Sequence, residues 1–323
     1  MSQEVKIGFI GCGGNARGHM RTLMNMESVR IVATCDVVET LATQAAEECN
    51  AQAYTNHKTM LERDDLDGIY ISIPVFAHGQ PELDTIERGL PFLVEKPVAI
   101  NMETAKKVES AVNNSGTITC VGYQLRYTGV ADIAREILAG KNISMVIGKY
   151  WCGSGRGDPS RWLRQMNKSG GQLVEQATHT IDLIRYLAGE VQEVYAMQAN
   201  RVLNEIDCPD SNVVAMRFAS GALGSLTASW THDPRDWSNA NVLDILFDES
   251  HIHWDGGKII LKEQGETKEL TQPGQSIDAV FTEAVRTKDG SQIRSPYSDA
   301  VKSLAISLAA NESGVSGAPK KVL

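Results

Sequence analysis

The run VKIGFIGCGGNARGHM, at residues 5–20, carries a β-rich apolar stretch straight into a cluster of glycines and then into helical text. Gly11, Gly13 and Ala16 occupy the G-x-G-x-x-G/A positions, with Gly14 and Asn15 between them. Gly11 permits a tight turn, Gly13 lets a pyrophosphate approach the backbone, and Ala16 lets the helix pack against the strand. The N–H groups that open the helix face the phosphates. The second β-rich run, VRIVATCD, ends in Asp36, 20 residues after Ala16. A carboxylate there accepts hydrogen bonds from both ribose hydroxyls of NAD and repels a 2′-phosphate. Val37 and Val38 offer no cation to hold that phosphate, so NAD is expected over NADP. The competing interpretation is a tight turn with no ligand.

The text as far as residue 122 repeats this alternation. VKIGFIG, VRIVATCD, GIYISIP, PFLVEKP and TITCVGY are strand candidates, each followed by a helical pattern. Regular strand–helix alternation implies a doubly wound parallel sheet. From 123 onward the pattern changes. A helix candidate (VADIAREILAG) and a strand (ISMVIGKYWCG) lead to a polar loop. From about 191 to 270, β-rich runs then follow one another with short turns, which favours a large, mostly antiparallel sheet. Two helical segments close the chain. The expected organisation is a dinucleotide-binding domain at 1–122 and a substrate-binding and oligomerisation domain at 123–323, the C-terminal helix being free to pack back on the first domain. A broad sheet with one face in need of cover points to a homodimer or homotetramer.

Bulk properties exclude several classes. A net charge of −9 supplies no basic excess for nucleic acid or an anionic membrane. The six cysteines have no CxxC pair or metal-ligand spacing, which suits reduced thiols. No apolar run reaches the ~18 residues of a membrane span, and the N-terminal text is unlike a signal peptide, so a cytoplasmic enzyme is expected.

In the second half, GGQLVEQATHTID spaces Glu175, His179 and Asp182 four and three residues apart. On one continuous helix they share roughly one face. A structural polar cluster, a metal site and an acid–base apparatus all remain open, although the metal reading lacks a third clear ligand and no metal is expected. Lys96, in the EKP run after the fourth strand candidate, lies at the edge of the sheet where ligands bind; a plain surface lysine is the alternative. The loop before the motif carries Arg156, Arg161, Arg164, Lys168 and Trp162. It either borders a substrate pocket or is a solvated or subunit-contact loop, and THDPRDW at 231–237 is open to the same two readings. His251 and His253 share a strand face, as a cross-strand structural pair or, less simply, a zinc site.

Taken together, GCGGNA, IPVFAHGQ, VEKPVAI, GGQLVEQATHTID and the closing LAANESGVSGAPKKV resemble the Gfo/Idh/MocA family of NAD(P)-dependent oxidoreductases. The resemblance spans nearly the whole chain. It implies a Rossmann domain joined to an α/β domain with an open, mostly antiparallel sheet, and a Lys96–Pro97 bond that is often cis. It makes Lys96 an active-site residue and His179 the catalytic histidine, with Glu175 on the acidic position before it. Pro74, His78 and Glu95 fall on positions near the cofactor. Tyr123, Arg126, Trp162, Gln176 and Asp182 become substrate-side candidates, Asp182 with a structural role equally open. Relatives usually carry Asp where this chain has Glu175, so its carboxylate reaches further out. The implied chemistry is hydride transfer from a secondary hydroxyl of a sugar, sugar derivative or cyclitol. A neutral imidazole, with an ordinary pKa of ~6.5, suits removal of the hydroxyl proton. Alternatives are a glycosidase that oxidises its sugar transiently, and a silent NAD-binding regulator.

Overall fold

The structure, a computed structural model, describes residues 4–322. In chain order the elements begin with β1 (Val5–Ile10), α1 (Gly14–Met24), β2 (Val29–Cys35), α2 (Glu39–Cys49), β3 (Gln52–Tyr54), α3 (His57–Leu61), β4 (Gly68–Ile71), α4 (Gln80–Glu87), β5 (Phe92–Val94), α5 (Met102–Ser115) and β6 (Thr119–Val121). There follow α6 (Gly129–Leu138), β7 (Ile143–Trp151), α7 (Met166–Ser169), α8 (Gly171–Glu175), α9 (Thr178–Ala188), β8 (Val191–Ala199), β9 (Ser211–Phe218), β10 (Leu223–Ser229) and β11 (Ala240–Phe247). The chain closes with β12 (Ser250–Trp254), β13 (Ile259–Glu263), β14 (Glu266–Leu270), α10 (Ile277–Thr287), α11 (Tyr297–Ser316) and β15 (Lys320–Lys321).

Contacts divide the chain into two compact units. The first runs to Gly122 and takes back Ser276–Val301. Among the described residues its sheet has six strands in the order β3-β2-β1-β4-β5-β6, all parallel. β4, β5 and β6 are buried along their whole length, as strands covered by helices on both faces must be. The strand order reverses at β1, between β2 and β4, and ligands bind beyond the carboxyl ends of strands at such a reversal. Residues 276–301 belong to this unit although the sequence boundary assigned them to the second domain. The reason is an apolar stripe on α10: Ile277, Val280, Phe281, Ala284 and Val285 are buried, and Phe281 packs edge-on against Tyr70 of β4 at 5.3 Å.

The second unit comprises Tyr123–Gln275 and the chain from Lys302. Its sheet has nine strands among the described residues, in the order β14-β13-β12-β11-β7-β10-β9-β8-β15. The β7–β10 pair is parallel and the other pairs are antiparallel. β9 alternates buried and exposed residues, the period-2 signature of a sheet with one covered face. Leu226, Ile245 and Phe247 have no solvent exposure, and each such side chain contributes about 1.5–3 kcal/mol. The opposite face carries exposed Met145, Ile147, Tyr195, Met197, Val213, Leu223 and Leu246. Among the described residues no helix is long and apolar enough to cross a membrane.

Candidate active site

In the first unit the glycine loop, Asp36, His78 and Lys96 gather at the carboxyl ends of β1, β2, β4 and β5. Gly11 sits at φ +92°, and a Cβ there would collide with the Ser72 carbonyl oxygen, so only glycine serves. Its N–H donates to Cys35 O at 2.7 Å, tying the loop to β2. Gly13, Gly14 and Asn15 are exposed, whereas Ala16 is fully buried where α1 meets the sheet. A Cβ on Gly13 or Gly14 would meet no atom within 4 Å. Gly13 is the N-cap of α1 and makes no side-chain cap, so the opening N–H groups of this helix are left to a ligand. Asp36 sits just past β2. Its Oδ2 accepts from Cys12 N and its Oδ1 from Val38 N, both at 2.9 Å. Each carboxylate oxygen keeps a second lone pair for a ribose hydroxyl. Glycine turn, helix start and carboxylate together fit a dinucleotide. Burial and the neighbouring Asp36 push the Cys12 thiol up to about 12, which keeps it protonated beneath the loop.

After β4, Pro74 opens a short 3₁₀ turn, Val75–Ala77. His78 is buried there, its Nδ1 2.5 Å from Glu82 Oε1 and its Nε2 3.2 Å from Ile73 O. Glu82 Oε2 accepts from Gly79 N at 2.6 Å. His78 thus shapes the loop from within; what it can offer a cofactor is the surface of that loop.

After β5, Glu95 and Lys96 are partly exposed, Pro97 is buried, and the Lys96–Pro97 bond is cis. Glu95 Oε2 accepts from Lys96 N at 3.1 Å, and its Oε1 lies 2.9 Å from His19 Nε2. Gly122 must lack a side chain because a Cβ there would stand 2.9 Å from this carboxylate. The other nitrogen of His19, Nδ1, meets Asp278 Oδ1 at 2.6 Å. Burial acts to lower the pKa of His19, but the hydrogen bonds and charges of Asp278 and Glu95 outweigh it and push the imidazolium up to about 10. His19 was missed in the sequence, where its only signal was its place three residues after Ala16 on the first turns of α1. Asp278, on the returning α10, had no local signal.

In the second unit the continuous helix expected through GGQLVEQATHTID is broken. Gly170 and Gly171, both at φ +72°, turn the chain into α8. Gln176 then departs from helical geometry at φ −121° and ψ −52°. Ala177 N reaches back five residues to Gln172 O at 2.8 Å, a π-type turn that inserts one residue before α9 begins. Glu175 and His179 therefore sit on either side of a break rather than on one helical face. From Gly171 to Arg185 only Glu175, Gln176 and His179 are not buried. Asp182 is fully enclosed. Its carboxylate takes two bonds from Arg126, Nε to Oδ2 at 2.8 Å and Nη2 to Oδ1 at 2.6 Å, and a third from Ser303 Oγ at 2.7 Å. With side-chain exposures of 2% and 1%, Arg126 and Asp182 anchor α9 from inside rather than face a substrate. Tyr123 is buried as well. Its hydroxyl meets Thr178 Oγ1 at 2.9 Å, and its ring stands edge-on to the His179 ring at 6.2 Å, so it braces the imidazole.

Trp162 is partly exposed on the 3₁₀ turn Trp162–Arg164. Arg164 is buried and donates to the carbonyls of Ser154, Gly155, Arg156 and Asp158, so it staples the loop instead of projecting from it. His251 and His253 both address Asp244 Oδ1, at 2.7 and 2.9 Å, as a cross-strand cluster. Among the described residues no group of three His, Cys, Asp or Glu is placed to hold a metal ion.

Two family models match the chain. One, described as an oxidoreductase family with an NAD-binding Rossmann fold, covers residues 5–123, and the GFO/IDH/MocA C-terminal domain covers 139–253. Over 250 residues the chain is 28% identical to scyllo-inositol 2-dehydrogenase (NAD(+)) of Bacillus subtilis strain 168, covering 73% of this chain and 71% of that protein. It is 23% identical over 317 residues to the rhizopine catabolism protein MocA of Rhizobium meliloti, covering 95% and 94%. The solved structure of levoglucosan dehydrogenase in complex with NADH and levoglucosan matches with a TM-score of 0.88, over 99% of this chain and 100% of that one, at 21% identity. With its glycine loop, its cis EKP turn and both of its domains accounted for, the chain belongs to the Gfo/Idh/MocA family of oxidoreductases and takes NAD as its cofactor.

Proposed function

We propose that the protein is an NAD-dependent dehydrogenase acting on a secondary hydroxyl of a sugar, sugar derivative or cyclitol. The observation that carries this is the break between α8 and α9, which leaves Glu175, Gln176 and His179 as the partly exposed residues of an otherwise buried run. Gly11, Gly13, Gly14, Asn15 and Ala16 hold the pyrophosphate, Asp36 the ribose hydroxyls, and the 74–78 and 95–96 turns frame the cofactor edge. NAD, when bound, supplies the acceptor for the hydride that leaves the carbinol carbon. His179 takes the hydroxyl proton as the carbonyl forms. Lys96 stabilises the negative charge that grows on that oxygen. Glu175 accepts a hydrogen bond from a neighbouring hydroxyl. Relatives named for scyllo-inositol and levoglucosan support a polyol or anhydrosugar as the first substrates to try.

The test is NADH formation from NAD across cyclitols, aldoses, uronates and glycosides. Net NADH with a polyol or sugar supports a dehydrogenase. Glycoside cleavage without net NADH assigns the transient-oxidation chemistry instead, and binding of NADH with no turnover of any kind assigns a regulator. A second copy of the chain is the occupant we assign to the open apolar face of the large sheet, giving a homodimer or homotetramer.

A further inference from the structure

Gln176 lies where α8 gives way to α9, and its side-chain oxygen is held from two sides. Trp230 Nε1 donates to Oε1 at 2.6 Å, and Cys152 Sγ donates to the same atom at 3.2 Å. An indole N–H can only donate, so the atom facing it must be the amide oxygen and not the nitrogen. Trp230 and Cys152 have no solvent exposure, whereas Gln176 is partly exposed. The oxygen is thus committed to the interior, and the NH₂ end is the part of the amide left for a ligand.

We propose that Gln176 is a specificity-determining residue that offers the substrate two N–H donors and no acceptor, and that Trp230 is the positioning residue that fixes this polarity. The inference deepens the dehydrogenase reading and rests on it. Beside Gln176 stands Glu175, a carboxylate when ionised and then an acceptor only. The adjacent pair therefore addresses two substrate positions of opposite polarity. One is a hydroxyl that donates to Glu175. The other is an oxygen that accepts from Gln176: a hydroxyl, a ring ether or a carboxylate. An ammonium at the second position would set donor against donor, so the class selected is neutral polyols, anhydrosugars and acid sugars, with amino sugars rejected.

Gln176→Glu tests this, because it keeps an oxygen for Trp230 and replaces the outward donors with an acceptor. The probes are scyllo-inositol, levoglucosan and glucose, with NADH binding measured alongside to show that each variant folds. The expected result is a rise in KM of about tenfold or more for any probe the wild type oxidises, with kcat within about threefold. Trp230→Phe, which frees the amide to turn over, raises KM less. The double variant matches Gln176→Glu alone, because both changes act through one amide. Should Gln176→Glu fail to bind NADH, Gln176→Met deletes the donors without adding charge and carries the same expectation. An unchanged KM, or effects of Gln176→Glu and Trp230→Phe that simply add, would overturn the inference while leaving the dehydrogenase reading intact. A wild type that forms no NADH with any of the cyclitols, aldoses, uronates and glycosides removes that reading, and the inference with it.

Discussion

Asp36 joins an observed structural role to a proposed binding one in a single carboxylate. Its oxygens accept from Cys12 N and Val38 N, which fixes the glycine loop against the end of β2. Their remaining lone pairs are those a ribose diol needs, and the negative charge disfavours a 2′-phosphate. Substituting Asp36→Ser is expected to weaken NADH binding about tenfold and to lower the preference for NADH over NADPH, both read by fluorescence titration. An unchanged Kd for both nucleotides would show that the ribose is held elsewhere. The spacing behind the proposed ribose role was legible in the sequence, because Asp36 closes the second strand at a fixed distance from the glycines. Its hold on Cys12 was not, since that depends on how the loop folds back. Arg126 and Asp182 show the same limit from the other side. Their residue types and positions suit substrate contact, and only the tertiary placement of Ser303 and α9 reveals that they are spent on each other.

Among the elements, α1, the turn after β5 and α10 meet at His19. Its imidazole bridges Glu95 and Asp278 and packs near the Tyr70 ring, at 5.3 Å. Its folded pKa of about 10 lies above the ordinary 6.5. The stabilisation from its charge is therefore fully present below about pH 6.5 and is lost as the pH rises through about 10. The expected outcome is that the thermal midpoint of the wild type falls between pH 7 and 10 more steeply than that of His19→Gln. Parallel curves for the two proteins would show that His19 carries no linked proton. The helix and strand elements were largely readable, because their apolar periods of 3.6 and 2 change where the fold changes. Three of the features that escaped show why. The edge strand β3 spans only Gln52–Tyr54 and has too few residues to show a period. The α8–α9 break lies in text that is helical by composition, and the bond from Ala177 N to Gln172 O appears only in three dimensions. The return of α10 to the first sheet is a long-range packing choice made by Phe281 and its neighbours.

At the scale of the whole molecule, the large sheet leaves apolar side chains from β7, β8, β9, β10 and β11 in solvent on one face. Exposed apolar patches of this kind mark association surfaces. Sedimentation of the wild type is expected to give two or four copies, and Met197→Glu to shift the population toward monomer; a monomeric wild type would leave that face without the assigned partner. The proposed hydride transfer to NAD depends most on His179 as the group that takes the hydroxyl proton. It is tested most directly by the rate of NADH formation in His179→Ala, on a substrate the wild type oxidises, with NADH affinity measured in the same preparation. The expected result is a fall in turnover of about 10²-fold or more with NADH affinity unchanged. Near-normal turnover in that variant would contradict the mechanism.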